Sequence, residues 1–323
     1  AQPSNWATTS ISRIDYSNDA TTASPKGPLA IPKYNHAGVG NMDYGYSIAG
    51  RDFGYPGPNL YYSDISRKDY SNDTVTPPVK SNYPFEGSPD FGLSGTGNME
   101  YGWIGGGSPN TTVCRIDYSN DTVSPPLRTY LSTSGYNGRK CTGNSSFGYW
   151  QPNVTTRFTR IDYSNDTATS VDKSTSTTTA YDNGSVTSKD YAYVYGRFWP
   201  YSSSVERLDY ANDDIATTPK GPLSVTNGGG KHTAGVSAQQ FGLPTFPVPA
   251  TVTESWTVPV GNDAGYFTAG GAPSPYYSVV DRIDFNNDTA VAATKSPTLV
   301  ATRGAASVNS TTFGYSIAGG TED

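Results

Sequence analysis

With 323 residues the chain is long enough for two average domains or one large all-β domain, and its 35 glycines, 24 prolines and 15% charged residues resist long helices. The 13% aromatic content argues against disorder, and a formal charge of -6 argues against a basic stripe that tracks a nucleic-acid backbone. No apolar run reaches the length of a membrane span, so neither nucleic acid nor a membrane span is expected among the partners. The chain starts at Ala1 without a Met, which reads as a processed or excised piece.

In chain order the first strong signal is Arg13-Ile14-Asp15-Tyr16-Ser17-Asn18-Asp19, and it recurs from Arg67, Arg115, Arg160, Arg207 and Arg282, at intervals of 54, 48, 45, 47 and 75 residues. A second element precedes each following Arg. It is a strand that alternates aromatic and small residues and often ends in glycine: to Gly50, to Gly107, from Phe147, from Tyr193, to Gly271 and to Gly320. Those terminal glycines suggest backbone packed too closely for a Cβ. Ahead of it lies a third strand, as in Leu29 to Gly40 or Leu299 to Val308, and the Thr/Val/Ala-rich stretch after each Ser-Asn-Asp supplies a fourth.

The ends complete the count. The 41 residues after the sixth Arg and the 13 that run to the first make 54, one more whole unit, so both termini belong to one shared unit. Four short strands in each of six units predict an all-β, six-bladed β-propeller over residues 1–323, with four-stranded antiparallel blades and a ring closed by pairing the N- and C-terminal strands.

A strand ending in Gly-Gly, a loop and a strand ending in an Arg-x-Asp-Tyr turn resemble a kelch repeat. The RIDYSNDT units alternating with FGYSIAGG-like strands resemble, more closely, repeat-containing virion structural proteins of tailed phages, especially those of cyanobacteria. The resemblance implies a kelch-like propeller without enzymatic activity, located in the virion, in a tail fibre or other surface appendage. Its partners would be structural subunits of the same assembly, further copies of the chain, and a host-surface glycan or receptor. The alternative is a secreted or cell-surface propeller that forms extracellular filaments or binds glycans.

Seven residues after each second Asp stands a cation: Asp19 and Lys26, Asp73 and Lys80, Asp121 and Arg128, Asp166 and Lys173, Asp213 and Lys220, Asp288 and Lys295. That invariant spacing predicts a rigid hairpin whose turn is capped by Asn and Asp side chains. Arg13, Arg67, Arg115, Arg160, Arg207 and Arg282 share a strand face with Asp15, Asp69, Asp117, Asp162, Asp209 and Asp284, so their side chains are expected to pair either with each other or with the neighbouring blade. All of these are read as structural. A calcium site at Asp15, Asn18 and Asp19 is weighed against this, but a dedicated loop supplies more carboxylates at alternating positions.

The pattern of copper oxidases on such propellers and the Asp boxes of sialidase-like ones are absent, and no hydrolase, metalloprotease or phosphate-loop motif occurs. No cofactor or metal is therefore expected. His36 and His232 fall at one position of two units and read as strand residues, while Cys114 and Cys141 read equally as a staple or as two buried thiols. Four of the nine N-x-[ST] sequons, at Asn72, Asn120, Asn165 and Asn287, merely repeat the motif. The 75-residue interval carries an insertion at about 237–260 with Phe241, Phe246 and Trp256, expected to be a contact surface. Tyr55, Tyr61 and Tyr62 in the segment Arg51 to Tyr62 form a second candidate contact.

Overall fold

The computed structural model describes residues 7–320 except 53–59, 85–91, 108–109, 133–139, 152–154, 178–183, 198–201, 225–233, 243–262, 271–276 and 303. These residues form six four-stranded antiparallel sheets. The first blade uses both ends of the chain: β1 (Ala7–Asp15) and β2 (Ser24–Lys26) join β23 (Ala306–Asn309) and β24 (Phe313–Gly320) in the order β2-β1-β24-β23. Arg13 lies opposite Tyr315 in that pairing, and Ala7 opposite Gly320. The terminal unit inferred from residue counting is thus a real blade.

The other five blades follow in sequence. They are β3 (Ala37–Gly40) to β6 (Val79–Asn82) through β4 (Tyr44–Asp52) and β5 (Leu60–Asp69); then β7 (Leu93–Gly97), β8 (Tyr101–Gly106), β9 (Thr112–Asp117) and β10 (Leu127–Tyr130). Next come β11 (Lys140–Gly143), β12 (Phe147–Gln151), β13 (Arg157–Asp162) and β14 (Val171–Thr175), followed by β15 (Ser185–Thr187), β16 (Tyr191–Arg197), β17 (Ser202–Asp209) and β18 (Thr218–Lys220). The last is β19 (Ala234–Ser237), β20 (Ala264–Gly270), β21 (Tyr277–Asp284) and β22 (Ala293–Lys295). Strands β3, β7, β11, β15, β19 and β23 touch one another in a closed circle and line the axis.

The third strand expected over Leu29 to Gly40 is shorter, Ala37–Gly40, because Leu29 is bonded to Thr9 and buried in the connection between blades rather than in a sheet. Six apolar clusters fill the molecule, each straddling one blade interface, as where Val39, Tyr46 and Ile65 meet Ile104 and Tyr118. Burial between neighbours rather than within a blade makes a single blade unstable alone, since one sheet cannot cover its own apolar faces.

Glycine in the aromatic strands has two separate roles. Gly45 stands where a Cβ would lie 2.4 Å from the Val308 side chain of the adjacent blade, a true close approach. The terminal glycines do something else: Gly50 adopts φ +116 at the register shift between Ile48 and Gly50, so a β-bulge rather than crowding alone selects it.

Candidate functional site

The second Asp of every motif leaves its own hairpin and accepts from the preceding blade. Arg13 and Lys26 reach Asp73 at 2.8 and 3.2 Å, Arg67 and Lys80 reach Asp121 at 2.9 and 3.9 Å, and Arg115 and Arg128 reach Asp166 at 3.0 and 2.6 Å. Arg160 and Lys173 reach Asp213 at 2.7 and 3.5 Å, Arg207 and Lys220 reach Asp288 at 2.8 and 3.1 Å, and Arg282 and Lys295 reach Asp19 at 3.1 and 3.2 Å, closing the circle.

A third donor completes each clamp, from the aromatic strand of the same preceding blade. Tyr315 donates to Asp73, Tyr46 to Asp121, Trp103 to Asp166, Tyr149 to Asp213, Tyr193 to Asp288 and Tyr266 to Asp19, at 2.7 to 3.2 Å. The motif aromatic of the receiving blade then stacks on that donor ring, as Tyr163 does on Trp103 at 3.8 Å and Tyr16 on Tyr266 at 5.2 Å. Three consecutive strands of one blade therefore grip one turn of the next.

The electrostatics follow from this enclosure. Burial pushes the carboxyls of Asp19, Asp166 and Asp288 up, but the donors around them outweigh it and hold all three below the ordinary carboxylate value. Burial and the adjacent Asp121 push the Tyr46 hydroxyl far above the usual phenol range, so it stays a donor.

Of the two pairings expected for the Arg row, the one with the neighbouring blade is formed, and the first Asp row serves its own turn instead. Asp15, Asp69, Asp117, Asp162, Asp209 and Asp284 each accept the backbone N–H two residues on at 2.9 Å, which fixes the turn. Asp15 and Asp19, weighed as calcium ligands, are thus engaged separately, one with its own turn and one with Tyr266, Arg282 and Lys295. Among the described residues no group of three His, Cys, Asp or Glu side chains is placed to hold a metal.

Non-repeated chemistry gathers on the axis. Gly38, Gly95, Cys141, Ser185, Gly235 and Ser307 occupy one level of the inner ring, and wherever this position carries a donor it bonds the preceding blade: Ser307 to the Gly235 carbonyl, Ser185 to Cys141 and the Cys141 thiol to Gly95, at 2.6, 2.5 and 2.8 Å. A cavity of about 110 Å³ lies at this level, lined also by His36, Leu93, Ser94 and Gln240. His36 joins blades: its Nε2 lies 3.1 Å from the Ile317 carbonyl and its Nδ1 2.8 Å from Ser47 Oγ. Burial, with Lys33 nearby, lowers its pKa to about 3, so the ring is neutral. His36 precedes β3 rather than lying in a strand, and His232 lies outside the described residues.

The insertion begins at this cavity, which corrects one expectation. Phe241 is not an exposed contact; it is buried, in a short turn over Gln240–Gly242 that packs against β7, β11 and β15. Phe246, Trp256 and Tyr55 lie outside the described residues. Tyr61 on β5 is 40% exposed and Tyr62 beside it is half-buried, its hydroxyl raised by burial and by Asp52 and Asp64. Cys114 and Cys141 are free thiols, both pushed up to about 12 by burial.

Sequence reasoning missed the six clamp donors on the aromatic strands, although a signal existed: a Gly or Ala followed by Tyr or Trp at one place in every unit, from Gly45-Tyr46 to Gly314-Tyr315. It also missed Lys68, which replaces the Ile or Leu of the other motifs. Lys68 is buried and donates to the carbonyls of Gly27, Asp73 and Val75.

Six four-stranded antiparallel blades closed by a shared terminal blade define a β-propeller. Among solved structures, the one described as "Structure of YjhT" superposes with a TM-score of 0.61 over 86% of this chain and 88% of that chain at 10% identity, a likeness of fold alone. No family model matches the chain, and no curated protein does.

Proposed function

We propose that this chain is a non-enzymatic structural or host-recognition component of a phage virion, carried on a tail fibre or other surface appendage. The observation that carries this reading is the closed circle of clamps. Each of the six repeated units commits its Arg and its downstream cation to the next blade and its second Asp to the preceding one, so the repeat serves the rigidity of a disc rather than a reaction centre. The start of β5 and the outer strand β10 supply apolar surface for neighbouring subunits, with Leu60, Leu127 and Tyr130 exposed by 42 to 53% and Tyr61 beside Leu60. The partners are structural subunits of the same assembly, further copies of the chain, and a host-surface glycan or receptor. The experiment is quantitative mass spectrometry and immunogold labelling of purified particles, with adsorption assays on particles lacking residues 243–260. Stoichiometric incorporation with impaired adsorption supports the reading; absence of the chain from particles refutes it.

A further inference from the structure

The chain path leaves one gap in the ring. Consecutive blades are joined by the backbone, but the shared blade is built from both ends of the chain, so β1 and β24 meet through hydrogen bonds alone. The connection from β2 to β3 lies across that gap. Lys33 N–H donates to the Thr8 carbonyl of β1 at 3.3 Å, and Gly319 N–H of β24 donates to the Lys33 carbonyl at 3.2 Å. Asn35, held at φ 55, donates its N–H to the Gly304 carbonyl ahead of β23 at 2.8 Å, and His36 Nε2 lies 3.1 Å from the Ile317 carbonyl of β24. On the other side Tyr34 exchanges two backbone bonds with Arg51 of β4, at 2.9 and 3.1 Å. Four consecutive residues therefore strap both edges of the gap to the second blade.

A buried ion pair outside the repeat seats this strap. The Lys33 side chain is wholly buried and donates to Asp64 Oδ2 at 2.8 Å, which Ser66 Oγ also reaches at 2.8 Å. Three residues before the motif Arg the other units carry Ser10, Thr112, Arg157, Ser204 and Val279, so a blade does not need a carboxylate there. Asp64 Oδ1 is buried without a hydrogen-bond partner. An enclosed pair of this kind fixes one seat for the strap yet adds little net stability, because separating it returns both charges to water.

We propose that the strap is the latch of the ring: the disc opens reversibly at this one seam, where β23 and β24 part together from β1 and residues 33–36, and the Lys33–Asp64 pair sets how often. Opening there breaks the clamp on Asp19 and the Tyr315 bond to Asp73, and leaves the clamps on Asp121, Asp166, Asp213 and Asp288 closed. A cooperative unit less stable than the rest of the molecule is the physical form such an opening takes. The proposal concerns the disc itself and stands apart from particle association.

The test is native-state hydrogen exchange on the whole protein, read residue by residue by NMR. Two amides report the seam: Gly319, at the strap, and Tyr16, which donates to Thr312 beyond the far end of the β1–β24 ladder. Tyr118 and Tyr163, which make the same bond in complete blades, are the references. Gly319 and Tyr16 are expected to share one protection factor, at least about tenfold below that of the references. Asp64→Leu, which strands the buried ammonium, should lower both by about tenfold more and leave the references unchanged, and Lys33→Met in that background should return both to the parent value or above it. If Asp64→Leu fails to fold, the parent and the double variant still decide. Protection of Tyr16 equal to that of Tyr118 overturns the proposal and leaves fraying of the strap alone. An equal effect of Asp64→Leu on all four amides, or a double variant that opens as readily as the single one, overturns it too.

Discussion

Removing the charge at the centre of one clamp tests the inter-blade mechanism directly, and Asp166 is the best place to do it. Its side chain is 3% exposed and takes four hydrogen bonds: Arg128 Nε at 2.9 Å and its terminal nitrogen at 2.6 Å on Oδ1, with Arg115 at 3.0 Å and Trp103 Nε1 at 2.9 Å on Oδ2. Asp166→Asn preserves shape but strands two guanidinium groups beside a neutral amide that cannot accept from both. Breaking a buried pair costs about 3–5 kcal/mol, and a hydrogen bond to a charged group is worth about 1.5–3 kcal/mol. Both arginines keep about a quarter of their side-chain surface in water, which offsets part of the loss. A destabilisation of about 2–3 kcal/mol follows, or roughly a 5 °C fall in Tm for a chain of this size. Differential scanning calorimetry of Asp166→Asn reads the shift, and the double variant with Arg115→Met measures how much of it is the stranded cation. A Tm within about 1 °C of the parent refutes the clamp as a source of stability.

Four further outcomes are expected. Because the folded carboxyls of Asp19, Asp166 and Asp288 lie below their unfolded values, their contribution is complete above the unfolded value and lost as pH falls through the folded one; Tm should hold from pH 7 to about 5 and drop below about pH 4, as pH-dependent calorimetry will show. Gly38→Ala places a Cβ 2.2 Å from the Ser307 carbonyl oxygen at the axis and should destabilise the ring by about 1–3 kcal/mol in urea titration, whereas a neutral effect shows that the inner strands can spread. With its thiol buried and pushed up to about 12, Cys114 should resist a thiol reagent at pH 8 in the native protein and react on unfolding; rapid native labelling of Cys114 contradicts its burial. Deleting residues 1–12 removes most of β1 and leaves β24 with an open edge, so the shortened chain should aggregate, as light scattering will detect; a monodisperse product shows that the shared blade is dispensable.

The sequence by itself determined the number of blades, the four strands in each, and the closure of the ring. These follow from local spacing: a strand needs a period of two, a turn needs its Asx residue, and six copies with a sixth interval divided between the two ends admit one closed arrangement. Only the tertiary structure decided where the repeated charges go. Arg13 and Asp15 are near in sequence, but the β1 hairpin sends Arg13 across the interface to Asp73 while Asp15 turns back on Ser17, a choice made by the rotation between neighbouring blades. The same holds at the axis. Phe241 reads in sequence as one more exposed aromatic of an insertion, and it is buried because the inner strands of three other blades, far away along the chain, pack around its turn. Periodicity records what each unit repeats; contacts between units, and the asymmetric features they accommodate, depend on side chains brought together across long loops, which spacing along the chain does not encode.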